Sequence, residues 1–187
     1  MKDISMHLMD IAQNSIVAGA SKISIIIQVC DIRQMLYFEV IDNGKGMEKD
    51  FLRKVTDPFK TTRTTRRVGL GIPLLKQSAE MAGGELRLDS EPGKGTKIQA
   101  SFKVDHIDRI PIGDIPGTLT LLISANKSIT WIVEFKYKNA DFLLDTDQIN
   151  EVLDGVQIDN KNVLEWIQNT ISQGINSVFG GVLSEVD

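Results

Sequence analysis

Two polar side chains near the start of the chain stand four residues apart, Asp10 and Asn14. The apolar residues around them recur at helical spacing and Gly19 follows, so residues 3–18 are predicted to form an amphipathic helix. Side chains four apart on a helix lie on one face. A carboxylate and an amide oxygen in one place suit a magnesium ion or an activated water, although a solvated helix face is the commoner reason for such a pair.

A second group of polar residues and glycines, DNGKG at 42–46, follows an apolar run of β type. Asn-Gly in this position often marks a hairpin, but residues 48–55 have helical character, which disfavours a hairpin here. Gly44 and Gly46 allow a backbone to pass close to a flat ligand. Asp42 can accept a hydrogen bond from an exocyclic amine, so the segment indicates a site for a flat ligand that carries such an amine.

A third group consists of Gly69, Leu70 and Gly71, ahead of a predicted helix whose first turn can hold Pro73. Glycines expose backbone N–H groups, and a helix start favours anions. These features suit a phosphate, although a basic loop is usually ordinary solvated surface. Four cations precede the glycines within eight residues: Lys60, Arg63, Arg66 and Arg67.

The composition is typical of a globular protein, with 187 residues, 42% hydrophobic, 25% charged and a net charge of -4. There is no excess of positive charge for a nucleic-acid backbone, so nucleic acid is not an expected partner. The single cysteine, Cys30, stands in an apolar run and fits a reducing, cytoplasmic setting. The N-terminal pattern is not that of a signal peptide, and no apolar stretch approaches the ~18 residues of a membrane span.

Alternation, helical spacing and turn residues predict the elements of the first half of the chain. The predicted elements are a hairpin of residues 23–29 and 35–41, a short helix at 48–55, a helix from Pro73 to the Gly83-Gly84 stop, and a hairpin of residues 85–90 and 96–104.

The character of the chain changes after residue 104, where residues 105–117 have the mixed isoleucine, proline and glycine content of a linker. The elements predicted beyond it are β-type runs at 118–124 and 128–138, a capped short helix at 145–155 and a longer amphipathic helix from about Asn160. Three aromatic residues are expected to pack this segment on the rest of the protein or on a second subunit: Trp131, Trp166 and Phe179.

The polar groups occur in the order and at the spacing of the GHKL superfamily of ATPases and kinases, which the chain resembles over roughly residues 5–104. The matching segments are DIAQN at 10–14, DNGKG at 42–46, DPFKTTR at 57–63 with GLG at 69–71, and GKGT at 93–96. Their form is most similar to the catalytic domain of bacterial histidine kinases and to anti-sigma-factor serine kinases.

The resemblance implies an α+β fold of the Bergerat type, a two-layer α/β sandwich that has a mixed sheet with helices on one face. It implies an ATP-binding domain at residues 1–104, which ends where the composition predicts the linker at 105–117. Residues 118–187 would form a small C-terminal α/β extension, to which the resemblance assigns no role.

The resemblance also implies roles for individual residues. Asn14 would coordinate magnesium and, through it, the phosphates of ATP. Asp42 would accept a hydrogen bond from the adenine amino group, with Gly44 and Gly46 allowing the base to approach and Thr96 near the same edge.

Further roles fall on the basic segment and on the first helix. Phe59, Lys60 and Arg63 would belong to a mobile lid, while Gly69, Leu70 and Gly71 would offer backbone N–H groups to the phosphates. Asp10 would be the catalytic carboxylate, although most members have glutamate there. Aspartate is one methylene shorter, and a general base must come within ~2.6–3.2 Å of its proton, directly or through one water.

The lid is expected to respond to the nucleotide. Residues 60–68 hold four cations, one apolar residue and no acidic residue, so nothing in the free protein offsets the entropy of ordering them. We expect this segment to be poorly ordered without nucleotide and closed over a bound triphosphate.

The function implied is that of a soluble, histidine kinase-like protein that binds ATP and magnesium and acts as a protein kinase or ATPase on a protein partner. The alternative is an ATP-dependent binding switch, similar to an anti-sigma regulator, with little or no turnover. A homodimer is a further possibility. His7 is interpreted as an ordinary helix or pocket-edge residue, and His106 as the better candidate of the two for a phosphoacceptor.

Overall fold

A mixed six-stranded sheet forms one layer of the protein. The computed structural model describes residues 1–55 and 71–183. The strands are β1 (Lys22–Cys30), β2 (Met35–Asp42), β3 (Leu86–Glu91), β4 (Gly95–Lys103), β5 (Thr130–Tyr137) and β6 (Ala140–Asp145). Their order across the sheet is β3-β4-β2-β1-β5-β6. β1 and β5 pair in parallel, and every other pair is antiparallel.

Helices form the second layer. They are α1 (Ile4–Val17), α2 (Lys49–Val55), α3 (Gly71–Met81), α4 (Ile115–Ala125), α5 (Thr146–Val152) and α6 (Lys161–Phe179). Ile23, Ile25 and Ile27 of β1 are buried, whereas the residues between them are half-buried or exposed. This alternation is typical of a sheet that is covered on one face, and it confirms the expected α+β sandwich.

Helix α1 begins where the sequence indicates. Asp3 is its N-cap, and the Asp3 carboxylate accepts a hydrogen bond from the backbone N–H of Met6 at 2.9 Å. The next two backbone N–H groups donate to the connection that precedes α4, Ile4 to the carbonyl of Pro111 at 2.9 Å and Ser5 to that of Ile112 at 3.0 Å. The start of α1 is therefore held by residues that lie more than a hundred positions later.

Both hairpins of the first half of the chain are confirmed, as are the five helices expected near residues 3–18, 48–55, 73–82, 145–155 and 160. The β-type run expected at 118–124 is wrong, because these residues lie in α4. Asp114 caps this helix by accepting from the N–H of Gly117 at 2.8 Å, and Pro116 occupies its first turn. Strand β6 was not anticipated.

The C-terminal segment adds strands to the same sheet. Its strand β5 lies beside β1, from the pair Lys22 and Thr130 to the pair Val29 and Tyr137. Trp131 and Phe179 are buried as expected, but Trp166 is 54% exposed and does not pack into the core. Among the described residues, no helix is long and apolar enough to cross a membrane.

Candidate functional site

Asp42 is a buried carboxylate at the end of β2. It is 8% exposed. Its Oδ2 accepts a hydrogen bond from the Ser15 hydroxyl of α1 at 2.7 Å, and its Oδ1 accepts one from the N–H of Gly44 at 2.9 Å. Each oxygen keeps one further lone-pair direction. The contact with Ser15 joins the DNGKG segment to α1, directly beside Asn14.

The fold itself requires glycine at two positions of the DNGKG segment. Gly46 has a φ of +66°, and a Cβ there would lie 2.1 Å from the carbonyl oxygen of Glu91. Gly44 passes close to α1, because a Cβ there would lie 2.9 Å from that of Ala18. A larger residue at either position therefore requires the backbone to move, whether or not a ligand approaches it.

Ser90 of β3 links three parts of the site, although sequence reasoning did not single it out. Its hydroxyl accepts from the N–H of Met47 at 2.9 Å, donates to the carbonyl of Gly95 at 2.9 Å, and lies 3.0 Å from the hydroxyl of Thr96. Thr96 pairs with Asp42 across β2 and β4. The expected proximity of Thr96 to Asp42 is thus a consequence of strand register.

A cleft of about 370 Å³ opens at this end of the sheet, and its walls include Asp42, Ser90, Thr96, Lys94 and Lys97. The cleft lies at the Asp42 end of the sheet, but its walls also include Ile41, Asp89 and Lys97, which alternate with Asp42, Ser90 and Thr96 along the strands and so face the opposite side of the sheet. No residue of α1 lines it. Lys97 forms an ion pair with Glu39 at 2.9 Å, and Lys94 forms one with Glu91, also at 2.9 Å. The charges of both lysines are therefore partly balanced by these carboxylates.

Asp10 and Gly71 bring α1 and α3 together. Asp10 is exposed, Asn14 is half-buried and Gly71 is buried. A Cβ on Gly71 would lie only 2.6 Å from Asp10 Oδ2, so the absence of a side chain allows the carboxylate to lie against the first residue of α3. The N-terminal turn of a helix carries unsatisfied N–H groups that favour negative charge.

Three contacts connect the elements that carry the predicted site residues: Ser15 of α1 bonds Asp42 of β2, Asp42 pairs with Thr96 of β4, and Asp10 of α1 lies against Gly71 at the start of α3. Residues 2–106 match the sequence model of the family described as "Histidine kinase-, DNA gyrase B-, and HSP90-like ATPase". The chain belongs to this family. The match covers more than half of its length, and it confirms the GHKL ATP-binding domain that the motifs indicate.

Relatives of this GHKL chain include sensor proteins. Sensor protein DegM of Bacillus sp. (strain B21-2) is 28% identical over 102 residues, which are 54% of this chain and 27% of DegM. Sensor kinase CckA of Brucella abortus (strain 2308) is 42% identical over 63 residues, which are 33% of this chain and 7% of CckA. The chain therefore spans only a minor part of the length of these relatives.

A solved structure shares the fold over nearly the whole chain. It is described as the "N terminal domain of a DNA repair protein" and has a TM-score of 0.51, with 17% sequence identity. The match covers 97% of this GHKL chain and 58% of the other. The likeness in fold therefore continues past residue 106 into β5, β6 and α6.

Several predicted site residues lie outside the described residues: Phe59, Lys60, Arg63, Arg66, Arg67, Gly69 and Leu70. The predicted behaviour of residues 60–68 lies outside them as well. Within residues 1–55 and 71–183, no group of three or more His, Cys, Asp and Glu side chains could hold a metal ion. The magnesium contact expected of Asn14 stays a prediction.

The two histidines have different environments. His7 is fully buried on α1, and burial lowers its pKa to about 4, so the ring is neutral near pH 7. His106 lies after β4 with its side chain 30% exposed, and its Nδ1 accepts from the N–H of Asp108 at 3.1 Å. His106 is the more accessible of the two, and its role as phosphoacceptor stays a prediction.

Proposed function

We propose that the protein binds ATP with magnesium and transfers the γ-phosphoryl group to a protein partner or to water. The observation that carries the proposal is the buried Asp42 carboxylate, which is held by Ser15 and Gly44 with lone pairs left on both oxygens. A carboxylate that is pre-oriented in this way suits the exocyclic amine of adenine. GTP should bind more weakly, since guanine presents a carbonyl where adenine presents that amine.

The residues on α1 support a position for the phosphates of ATP next to the position proposed for its adenine. Asn14 follows Asp10 by one helical turn and directly precedes Ser15, so the three are ordered along one helix. Magnesium, when bound, would neutralise phosphate charge. Asn14 would supply an amide oxygen to the ion, and the phosphates would supply the other charged ligands. The first turn of α3 would present N–H groups to the phosphates.

We propose that Asp10 orients or deprotonates the acceptor hydroxyl or water. Its exposed position beside Gly71 leaves it accessible to an acceptor that arrives from solvent. Substitution Asp10→Glu restores the longer side chain that is common in the family, so we expect turnover to rise while nucleotide affinity stays within about twofold. A turnover that stays the same or falls would remove the argument from side-chain length.

The second candidate is a binding switch with little or no turnover. The short Asp10 side chain favours it, because a carboxylate that falls short of its proton leaves binding intact and slows chemistry. In this alternative ATP changes the surface that a protein partner, or a second copy of the chain, recognises. Measuring ADP release with and without candidate partners separates the two functions, since only the first gives turnover.

Nucleotide binding itself is tested by thermal unfolding. A ligand at ~100 times its Kd stabilises the folded state by about 2.7 kcal/mol. For a chain of this size that gain raises the Tm by roughly 5–10 °C. We expect this shift with ATP and magnesium and a smaller one with GTP. An unchanged Tm at millimolar ATP, supported by calorimetry without binding heat, would remove the proposed function.

A further inference from the structure

The Ser90 hydroxyl lies within hydrogen-bonding distance of three groups, and it can serve all of them in only one arrangement. A hydroxyl has one proton and two lone pairs. The N–H of Met47, at 2.9 Å, can only donate, so it occupies one lone pair. The carbonyl of Gly95, also at 2.9 Å, can only accept, so it takes the proton. The second lone pair is left for Thr96, whose hydroxyl lies 3.0 Å away.

This arrangement fixes the direction of the Thr96 proton. Because Ser90 has no second proton to give, Thr96 must donate to Ser90 for their contact to be a hydrogen bond. The reverse direction would leave lone pairs of Ser90 and of the Gly95 carbonyl facing each other at 2.9 Å without a proton between them. The Thr96 oxygen therefore keeps two lone pairs and has no proton for a ligand.

Further contacts hold the backbone on both sides of Ser90. Gly95 has a φ of +98°, and a Cβ there would lie 1.9 Å from the carbonyl oxygen of Asp42, so the start of β4 lies directly against the end of β2. In the turn before it, the N–H of Gly93 donates to the carbonyl of Lys45 at 2.8 Å. The β3-β4 hairpin and the DNGKG segment are thus joined both by this bond and through Ser90.

Asp42 and Thr96 form a cross-strand pair in which both side chains offer acceptors. They are opposite each other in the register of β2 and β4, where Cβ atoms are about 4.5–5.5 Å apart. An ionised carboxylate only accepts, and the contact with Ser90 leaves Thr96 only lone pairs to offer. The exocyclic amine of adenine carries two N–H groups. Two acceptors at this spacing can each take one of them.

We propose that Ser90 is a positioning residue for base specificity: it orients the Thr96 hydroxyl as an acceptor, so that Thr96 and Asp42 each accept one N–H of the adenine amine. The inference rests on the proposed function, since it assumes adenine at this site. Ser90 does not touch the base and acts through Thr96. A pair that offers only acceptors favours a purine with an amine on C6 over one without it.

The test compares two nucleotides that differ only in this amine. They are ATP and the triphosphate of purine riboside, in which hydrogen replaces the amine on C6, both as β,γ-imido forms that resist transfer of the γ-phosphoryl group. Calorimetry with magnesium gives a Kd for each, and the ratio of the two is the preference for adenine. In Ser90→Ala the Thr96 proton is no longer held. We expect the preference to fall about fivefold, as for one lost hydrogen bond.

A second background makes the result specific to Thr96. Thr96→Val removes the hydroxyl and keeps the shape, so it should lower the preference by a similar factor, and adding Ser90→Ala to it should lower the preference no further. A merely structural Ser90 would weaken both nucleotides equally, so an unchanged ratio in Ser90→Ala would overturn the inference. If Ser90→Ala fails to fold, Ser90→Cys replaces it, because a thiol forms only weak hydrogen bonds, and the same criterion applies.

Ser101→Ala is the matched control within the same hairpin. The Ser101 hydroxyl also accepts from an N–H and donates to a carbonyl, both of Glu85, at 3.0 and 3.3 Å. It lies five residues after Thr96 on β4 and so on the other face, and its loss should leave the ratio unchanged. An equal fall in both variants would attribute the effect to hairpin stability and reject the role of Ser90. If the wild type binds neither nucleotide, the proposed function fails; if it prefers ATP and Ser90→Ala keeps that preference, only the role of Ser90 fails.

Discussion

The two halves of the sheet differ in the side chains that they present to the helices, which include polar groups in one half and are apolar in the other. At the β2-β4-β3 end, the residues beneath the helices include a carboxylate and hydroxyls, with Asp42, Ser90 and Thr96 in contact or in register. On β5, the corresponding positions hold Trp131, Val133 and Phe135, all buried and apolar. One end is therefore suited to recognise a ligand and the other to stabilise the fold, and substitutions in the two regions should change different measurements.

The most severe test of this comparison is to remove the C-terminal region altogether. A chain that ends at Val104 loses β5 beside the central strand β1, and it loses α4 and α6, which cover the apolar face. Because the whole free energy of unfolding of a domain is only about 5–15 kcal/mol, we expect no cooperative thermal transition by circular dichroism. A sharp transition together with nucleotide binding would instead make residues 1–104 an autonomous domain.

Replacing Trp131 by alanine should produce the next largest effect. Trp131 is 0% exposed, and truncating a buried tryptophan lowers the free energy of unfolding by about 3–5 kcal/mol. Urea denaturation measures this, and nucleotide affinity of the folded protein should stay within about twofold. Trp166→Ala is the matched control, because Trp166 is 54% exposed and its loss should cost less than about 1 kcal/mol. Equal losses would contradict the assignment of Trp131 to the core.

Asp42→Asn should have a smaller effect than Trp131→Ala, and the effect should be on nucleotide affinity instead of on folding. Loss of a charge-assisted hydrogen bond corresponds to about 1.5–3 kcal/mol, or roughly a ten- to hundredfold weaker Kd for ATP. Calorimetry measures the Kd, and the variant should still fold, since the asparagine oxygen can accept from Ser15. The control is Glu39→Gln on the same strand, a 7% exposed carboxylate on the other face of the sheet. Weaker binding in both variants would mean that the effect arises from β2 as a whole.

The smallest effect is expected for Ser15→Ala, which removes the hydroxyl that orients Asp42. A single hydrogen bond contributes about 1 kcal/mol, so the Kd for ATP should weaken by roughly fivefold. Ser5→Ala is the control, because Ser5 is also buried on α1 and its hydroxyl also bonds an aspartate, Asp3, at 2.7 Å. If both variants lose the same affinity, the loss arises from a less stable α1 and not from the orientation of Asp42.

The elements that sequence reasoning predicted correctly have local signals. Helix α1 has a cap and an apolar repeat, the two hairpins alternate around polar turns, and the glycine segments stand out by composition. Register then brings Thr96 to Asp42 once β2 and β4 pair. Local pattern was sufficient for these parts because the same residues that define the pattern also make the contacts.

The remaining parts depend on contacts that no local pattern records. Residues 118–124 have β-type composition, yet burial of Leu119 and Leu122 against the other helices favours α4. Ser15 and Ser90 act on partners 27 and 43 positions away, and a small hydroxyl has no distinctive spacing in the sequence. The parallel pairing of β5 with β1 likewise joins segments far apart in the chain.

That parallel pairing has a consequence for biosynthesis. β5 begins about 100 residues after β1 ends, and at a synthesis rate of about 5–20 residues per second the ribosome needs roughly 5–20 s to make the intervening chain. During that interval β1, with Ile23, Ile25 and Ile27, has one free edge and an incompletely covered face. We expect the nascent protein to depend on chaperones during this interval and to complete its folding only after α6 has left the exit tunnel.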